Sequence, residues 1–310
     1  MKYLGLQTQI RRNNLRSTFL LIAFPALLLT LSWFFFFFLS IGKEDAIYQT
    51  NDSFIRTGPF ILIAVLIWFA IAWLSHNAMI QSATGSHTLD RKDNKRVYNL
   101  VENLCISRGM KMPKVNLIED NSLNAFASGI NENSYTVSLS RGIINKLDDE
   151  ELKGVIAHEL THIQNRDVRL LIISIIFVGI FAFLSEMGLR SIQFGGRRKG
   201  KGGEVMILIM VLAAIGYLLS TLFRFALSRK REFLADAGAV EMTKNAPALA
   251  SALRKISQDP DIEAVKREDV AQLFIEHPSG KKKKGFVSSF NSLFATHPPI
   301  EERIAILEQF

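Results

Sequence analysis

The sequence has almost no cysteine: Cys105 is the single one in 310 residues. One thiol can close no internal disulfide, so nothing ties the polar sequence to an oxidising compartment, and Cys105 reads as a small core residue. Acidic residues are missing from the first 43 positions, while Lys2, Arg11, Arg12 and Arg16 stand there. Charge of either sign is missing from Thr18 to Ile41. No internal repeat and no nucleic-acid-binding motif occurs. The formal net charge is +8, with a pI near 9.6. The Lys and Arg, however, lie beside apolar blocks, and the aromatics lie within those blocks. That distribution excludes a nucleic-acid partner and points to a membrane surface. The apolar blocks hold too few ionisable groups to line a channel or transport path.

The chain is 48% hydrophobic, and its apolar residues gather in four blocks, at about 18–41, 59–80, 168–184 and 205–223. A spanning helix needs about 20 apolar residues. The first two blocks meet this easily, and the last two sit near the lower limit. The first is too long for the apolar region of a cleaved signal peptide and reads as an uncleaved anchor. Basic residues before it, and a loop after it that is net negative by one, place the N-terminus in the cytoplasm. The segment that follows block two is then cytoplasmic as well. Arg190, Arg197, Arg198, Lys199 and Lys201 between blocks three and four run against the positive-inside rule, which leaves open whether that hairpin spans fully. In either case its two ends emerge on the same side.

The expected organisation is therefore two transmembrane helices within 1–81, a first catalytic part at 82–167, an apolar hairpin at 168–224 and a second catalytic part at 225–310. Helical spacing marks 93–108, ended by Gly109 and Pro113, and 148–165. Helices are also expected at 248–256 and 299–307. Strands are expected at 115–118 and 135–140, the second pairing with 124–129 as a hairpin across a turn at Asn131 and Asn133. The run Lys281–Lys284 reads as a solvated loop, with contact to anionic lipid as the alternative.

His158-Glu159-Leu160-Thr161-His162 has the form H-E-x-x-H. Residues four apart share one helix face, so both imidazoles can reach one zinc. The acid between them can take a proton from the water that attacks a peptide carbonyl. Gly154, Val155, Ile156 and Ala157 before the motif make the helix apolar and buried, where unpaired polar groups are costly. A catalytic zinc needs a third protein ligand. Glu232 and Asp236, four apart and on the correct side of the membrane, supply one candidate ligand and one acceptor for the N–H of a ligating histidine, His158 first. An ordinary charged helix face is the alternative for that pair. His76, His87 and His277 are read as non-ligands.

The segment 154–167, the Arg-Glu-x-x-Ala-Asp of 231–236, Thr296-His297-Pro298-Pro299 followed by Glu302-Arg303-Ile304, and Asn124-Ala125-Phe126-Ala127-Ser128-Gly129 resemble the HtpX family of bacterial heat-shock membrane proteases. These are gluzincins related to the CAAX prenyl-protein proteases. The resemblance covers nearly the whole chain, including the order of the four apolar blocks. It implies a mainly α membrane protein: four hydrophobic helices plus an α+β zinc protease domain with a small sheet. It also implies one Zn²⁺ per chain, with Glu232 as third ligand, and a cytoplasm-facing site in the inner membrane. The implied substrates are misfolded or damaged membrane proteins. Asn124, Ala125, Phe126 and Ala127 can offer a sheet edge to an extended substrate, with an ordinary edge as the alternative. His297 can stabilise the oxyanion or simply precede two prolines. Arg303 must pair with an acid. A specific processing protease of the CAAX type and an inactive scaffold are the competing functions. The scaffold reading fits poorly with the presence of Glu159.

Overall fold

The computed structural model describes residues 6–194, 211, 214–216, 218, 229–257 and 299–309. They fall into two compact units: unit 1 comprises Met1–Asn14, Ser75–Ile172 and Phe225–Phe310, and unit 2 comprises Leu15–Leu74 and Ile173–Arg224.

Unit 2 takes in most of two long helices, α1 (Leu6–Ser40) and α2 (Ala46–Thr84). Among the described residues these two are long and apolar enough to cross a membrane. Both helices outrun the apolar blocks that announce them. The helix boundary is set by backbone hydrogen bonding and the block boundary by hydropathy, so they need not coincide. Pro25 and Pro59 lie inside these helices, where each removes one hydrogen bond without ending the helix. Thr30 and Ser32 return their hydroxyls to the carbonyls four residues back (2.8 and 2.7 Å), which satisfies them without water. The third apolar block is carried by α6 (Asp167–Phe194). Within the unit, Phe177 is stacked between Phe24 (4.3 Å) and Phe69 (5.4 Å). Most of the fourth block, the loop before it and Lys281–Lys284 lie outside the described residues.

Unit 1 holds the sheet and the shorter helices. Strands β1 (His87–Thr88), β2 (Lys114–Ile118), β3 (Ala125–Ser128) and β4 (Thr136–Ser140) form one sheet in the order β1-β2-β4-β3. β2 and β4 run parallel, with Val115 opposite Val137, and the outer pairings are antiparallel. The expected β3–β4 hairpin is present, closed by Tyr135 N–H on the Asn131 carbonyl (3.0 Å). The brief β1 gives no usable sequence pattern. The helices are α3 (Lys95–Arg108), α4 (Arg141–Lys146), α5 (Asp149–Gln164), α7 (Arg229–Thr243), α8 (Ala246–Ile256) and α9 (Ile300–Leu307). Asn94 caps α3 at its start, and Gly109, at φ 60°, ends it in the left-handed conformation.

α5 is the central element, with 11 of its residues buried. Its first turn explains how so apolar a helix begins. Asp148 accepts from the N–H groups of Glu150 and Glu151, and Glu151 reaches back to the Asp148 N–H, a reciprocal capping box. Glu151 is itself buried and takes hydrogen bonds from Ser251 and Lys255 of α8, both 2.7 Å. The cap therefore also docks α8. Two glycines let neighbouring helices close on α5. A β-carbon on Gly154 would stand 3.3 Å from the Cα of Leu249 in α8, and one on Gly238 of α7 would stand 2.4 Å from Cγ2 of Thr161.

Candidate metal centre

The last turns of α5 carry His158, Glu159 and His162, and the close approach of α7 at Gly238 brings Glu232 and Asp236 against them. Nε2 of His158 lies 3.1 Å from Nε2 of His162. The Glu232 carboxylate lies 3.6 Å from the first and 3.5 Å from the second. Tetrahedral zinc at ~2.0–2.1 Å from each donor separates its ligand atoms by about 3.3 Å. The three donors fit such an ion. The rings stand nearly perpendicular, at 88°, so each can aim its Nε2 at a shared point.

Both Nδ1 atoms are taken. That of His158 faces Asp236 at 2.9 Å, and that of His162 faces Asp167 at 3.1 Å. Each carboxylate fixes the ring proton on Nδ1 and leaves a lone pair on Nε2. Two lone pairs facing each other across 3.1 Å, with a third oxygen beside them, repel unless a cation lies between. Without one, the site collects a proton instead. Burial opposes charge on His158, yet its contacts with Asp236 and Glu232 prevail and push its pKa up to about 9.

Asp236 is held by Arg303, which is fully buried on α9. Nε and Nη2 of Arg303 donate to the two carboxylate oxygens at 2.8 and 2.7 Å, a forked pair. Burial alone would raise the Asp236 pKa, but the guanidinium and the imidazole hold it down at about 2. Arg303 also lies 3.6 Å from Glu232. The acid that Arg303 requires is thus Asp236, which stands 67 positions earlier in the chain.

Glu159 is buried beside this cluster. Burial raises its pKa, against the pull of His158 and His162, and it accepts a hydrogen bond from the Ala127 N–H. That contact places β3 at the site. β3 is an edge strand, and the bond from Ser140 N–H to the Asn124 carbonyl, with the β3–β4 register, turns the main-chain groups of Ala125 and Ala127 away from β4. The edge is not open as sequence reading allows: Asn124, Ala125, Phe126 and Ala127 are all buried, and the Ala125 N–H is bonded to the Asn124 side chain. His297 and His277 lie outside the described residues. His76 lies in α2 and His87 in β1, and neither belongs to the cluster of His158, His162 and Glu232.

Asp167 is the polar partner that sequence reading missed. Its signal was an acid five positions after His162, just past the helix end, where it reads as the first-turn acid of the next helix.

Two imidazoles and a carboxylate around one point, with a second carboxylate kept dry beside them, are what a metal-dependent peptidase requires. The family model and the curated relatives agree on that class. Residues 91–310 match the family model described as Peptidase family M48. The chain is 60% identical to a Protease HtpX homolog of Bacteroides fragilis, over 100% of both chains. It is 35% identical to a Protease HtpX homolog of Listeria monocytogenes, over 97% of this chain and 98% of that one. It is 38% identical to one of Dictyoglomus thermophilum, over 88% and 89%. The crystal structure of S. mikatae Ste24p aligns at a TM-score of 0.46 and 18% identity, over 90% of this chain and 61% of that one, so the chain spans about three fifths of its length. The chain belongs to peptidase family M48 and is an HtpX-type membrane metalloprotease.

Proposed function

We propose that the chain is a zinc-dependent endopeptidase of the bacterial inner membrane that cleaves misfolded or damaged membrane proteins on the cytoplasmic side. The observation that carries the reading is the convergence of His158, His162 and Glu232, with donor atoms spaced for one tetrahedral ion and a buried Glu159 adjacent. His158, His162 and Glu232 would hold the ion, one per chain. When bound, zinc supplies a Lewis acid that polarises the scissile carbonyl and makes water a nucleophile near neutral pH. Glu159 takes the proton of the attacking water and returns it to the leaving amine. Its burial raises its basicity for that task. Asp236, braced by Arg303, keeps the His158 ring in register.

His297 is assigned to the oxyanion. The N-terminus, and with it the site, faces the cytoplasm by the basic residues that precede the first apolar block.

The test is zinc content and casein cleavage of the detergent-purified chain beside Glu159→Gln. One zinc in each and cleavage by the unmodified chain alone bear the reading out. Zinc without cleavage in either favours a scaffold or a highly selective processing protease, and absence of zinc after refilling rejects the site.

A further inference from the structure

The two histidines are braced in the same way, from different parts of the chain. His158 leans on Asp236, and Asp236 is gripped by Arg303. His162 leans on Asp167 through Oδ2, and the other oxygen of that carboxylate, Oδ1, accepts a hydrogen bond of 2.7 Å from Nδ2 of Asn13. The same Asn13 amide donates to the Asn165 carbonyl at 2.9 Å. Asn14, the next residue, accepts from Nη1 of Arg166 at 3.1 Å. Asn165 and Arg166 form the short join between α5 and α6, whose first residue is Asp167, and Arg166 sits there at φ 60°, a conformation that costs a non-glycine residue and must be held by its surroundings. Asn13 is buried, as are Asn165 and Asp167.

An amide placed in a buried position on a helix that continues into an apolar block is costly unless it is bonded. Both of its hydrogen bonds here go to the join that orients His162. A residue that merely filled space would have no need of the Asp167 carboxylate.

We infer that Asn13 is a positioning residue for the metal centre: it fixes the Asp167 carboxylate that orients His162, so the first turns of α1 help to build the site. The inference rests on His162 being a metal ligand. Removing Asn13 frees Asp167 to rotate away from the imidazole, and the metal then binds a less ordered donor. Partners one step behind a metal ligand typically govern affinity by about 10–100-fold.

The experiment is a zinc titration of the full chain in detergent, stripped and refilled against a competing chelator, with the melting temperature of the metal-free protein measured in parallel. Asn13→Ala is expected to weaken zinc binding about tenfold. Asp167→Ala is expected to weaken it at least as much, and adding Asn13→Ala to Asp167→Ala should cause no further loss, because the two act through one path. Asn77→Ala serves as the control. It removes a comparable bond from a long helix to a main-chain carbonyl, Asn77 Nδ2 to Ser134 at 3.0 Å, whose acceptor lies in the turn between β3 and β4. It should leave zinc affinity unchanged. If Asn13→Ala cannot be purified folded, Asn13→Leu, which keeps the volume and drops the donors, carries the same expectation. Unmodified zinc affinity in the Asn13 variant, or losses that add in full with Asp167→Ala, would overturn the inference. Absence of zinc from the unsubstituted chain would instead overturn the site itself.

Discussion

In unit 2 the large apolar side chains point outward. Leu74 is 82% exposed, Phe60 71% and Ile22 66%. In unit 1 a small set of charged ones points inward, and Arg303, Glu159 and Asp236 are all at or below 3% exposed. The first pattern suits a unit whose surroundings are hydrocarbon, where an exposed isoleucine costs nothing and packing rests on close contacts such as the Phe24–Phe177–Phe69 stack. The second suits a unit in water that has spent burial energy on polar groups it must then satisfy in full. The comparison shows why the two are legible in different ways. Composition alone announces unit 2. Unit 1 announces only that polar residues are buried, and the partners that make this tolerable come from far along the chain.

Substitutions separate what each unit contributes. The largest effect is expected for Glu159→Gln, which should lower casein cleavage by about 10²–10⁴-fold while zinc content, by atomic absorption, stays at that of the unmodified chain. Loss of zinc in that variant would move Glu159 from base to ligand. Glu232→Ala should come next, with zinc retained poorly through desalting and cleavage restored partly by excess zinc; undiminished zinc would remove Glu232 from the site. Arg303→Leu takes away the forked guanidinium that grips Asp236. It leaves buried carboxylates uncompensated, at a cost of about 3–5 kcal/mol, read as a lower melting temperature of the metal-free protein. Gly238→Ala must push α7 from Thr161. About 1–3 kcal/mol of destabilisation is expected, together with weaker zinc binding, since Glu232 rides on the same helix. The smallest effect belongs to unit 2. Ile63→Leu, on its outward apolar surface, should leave the melting temperature in detergent within about 0.5 kcal/mol of equivalent stability. A large loss there would show that this face packs against protein rather than lipid.

Much of the site was legible because it is local. His158, Glu159 and His162 lie within five residues, and the 3.6-residue helix period puts both histidines on one face without help from elsewhere. Glu232 and Asp236 were legible as a pair for the same reason, standing four apart on one helix. The α3, α5 and α8 helices and the β3–β4 hairpin carry strong periodic or turn signals and stand close to their expected bounds. The two-residue β1 and the six-residue α4 are too short to carry a period.

The apolar segments, the helix that bears the two histidines and the chemistry those histidines can do are all written in neighbours along the chain. Which acid serves which base is settled by the packing of distant segments in space. Arg303 reaches Asp236 across 67 positions and Asn13 reaches Asp167 across 154. Such pairs leave no periodic trace, since a hydrogen bond depends on separation in space while a sequence pattern records only separation along the backbone. The burial of the β3 edge against Glu159 was likewise decided there, because the alternation that marks a strand is the same whether or not its outer groups are engaged.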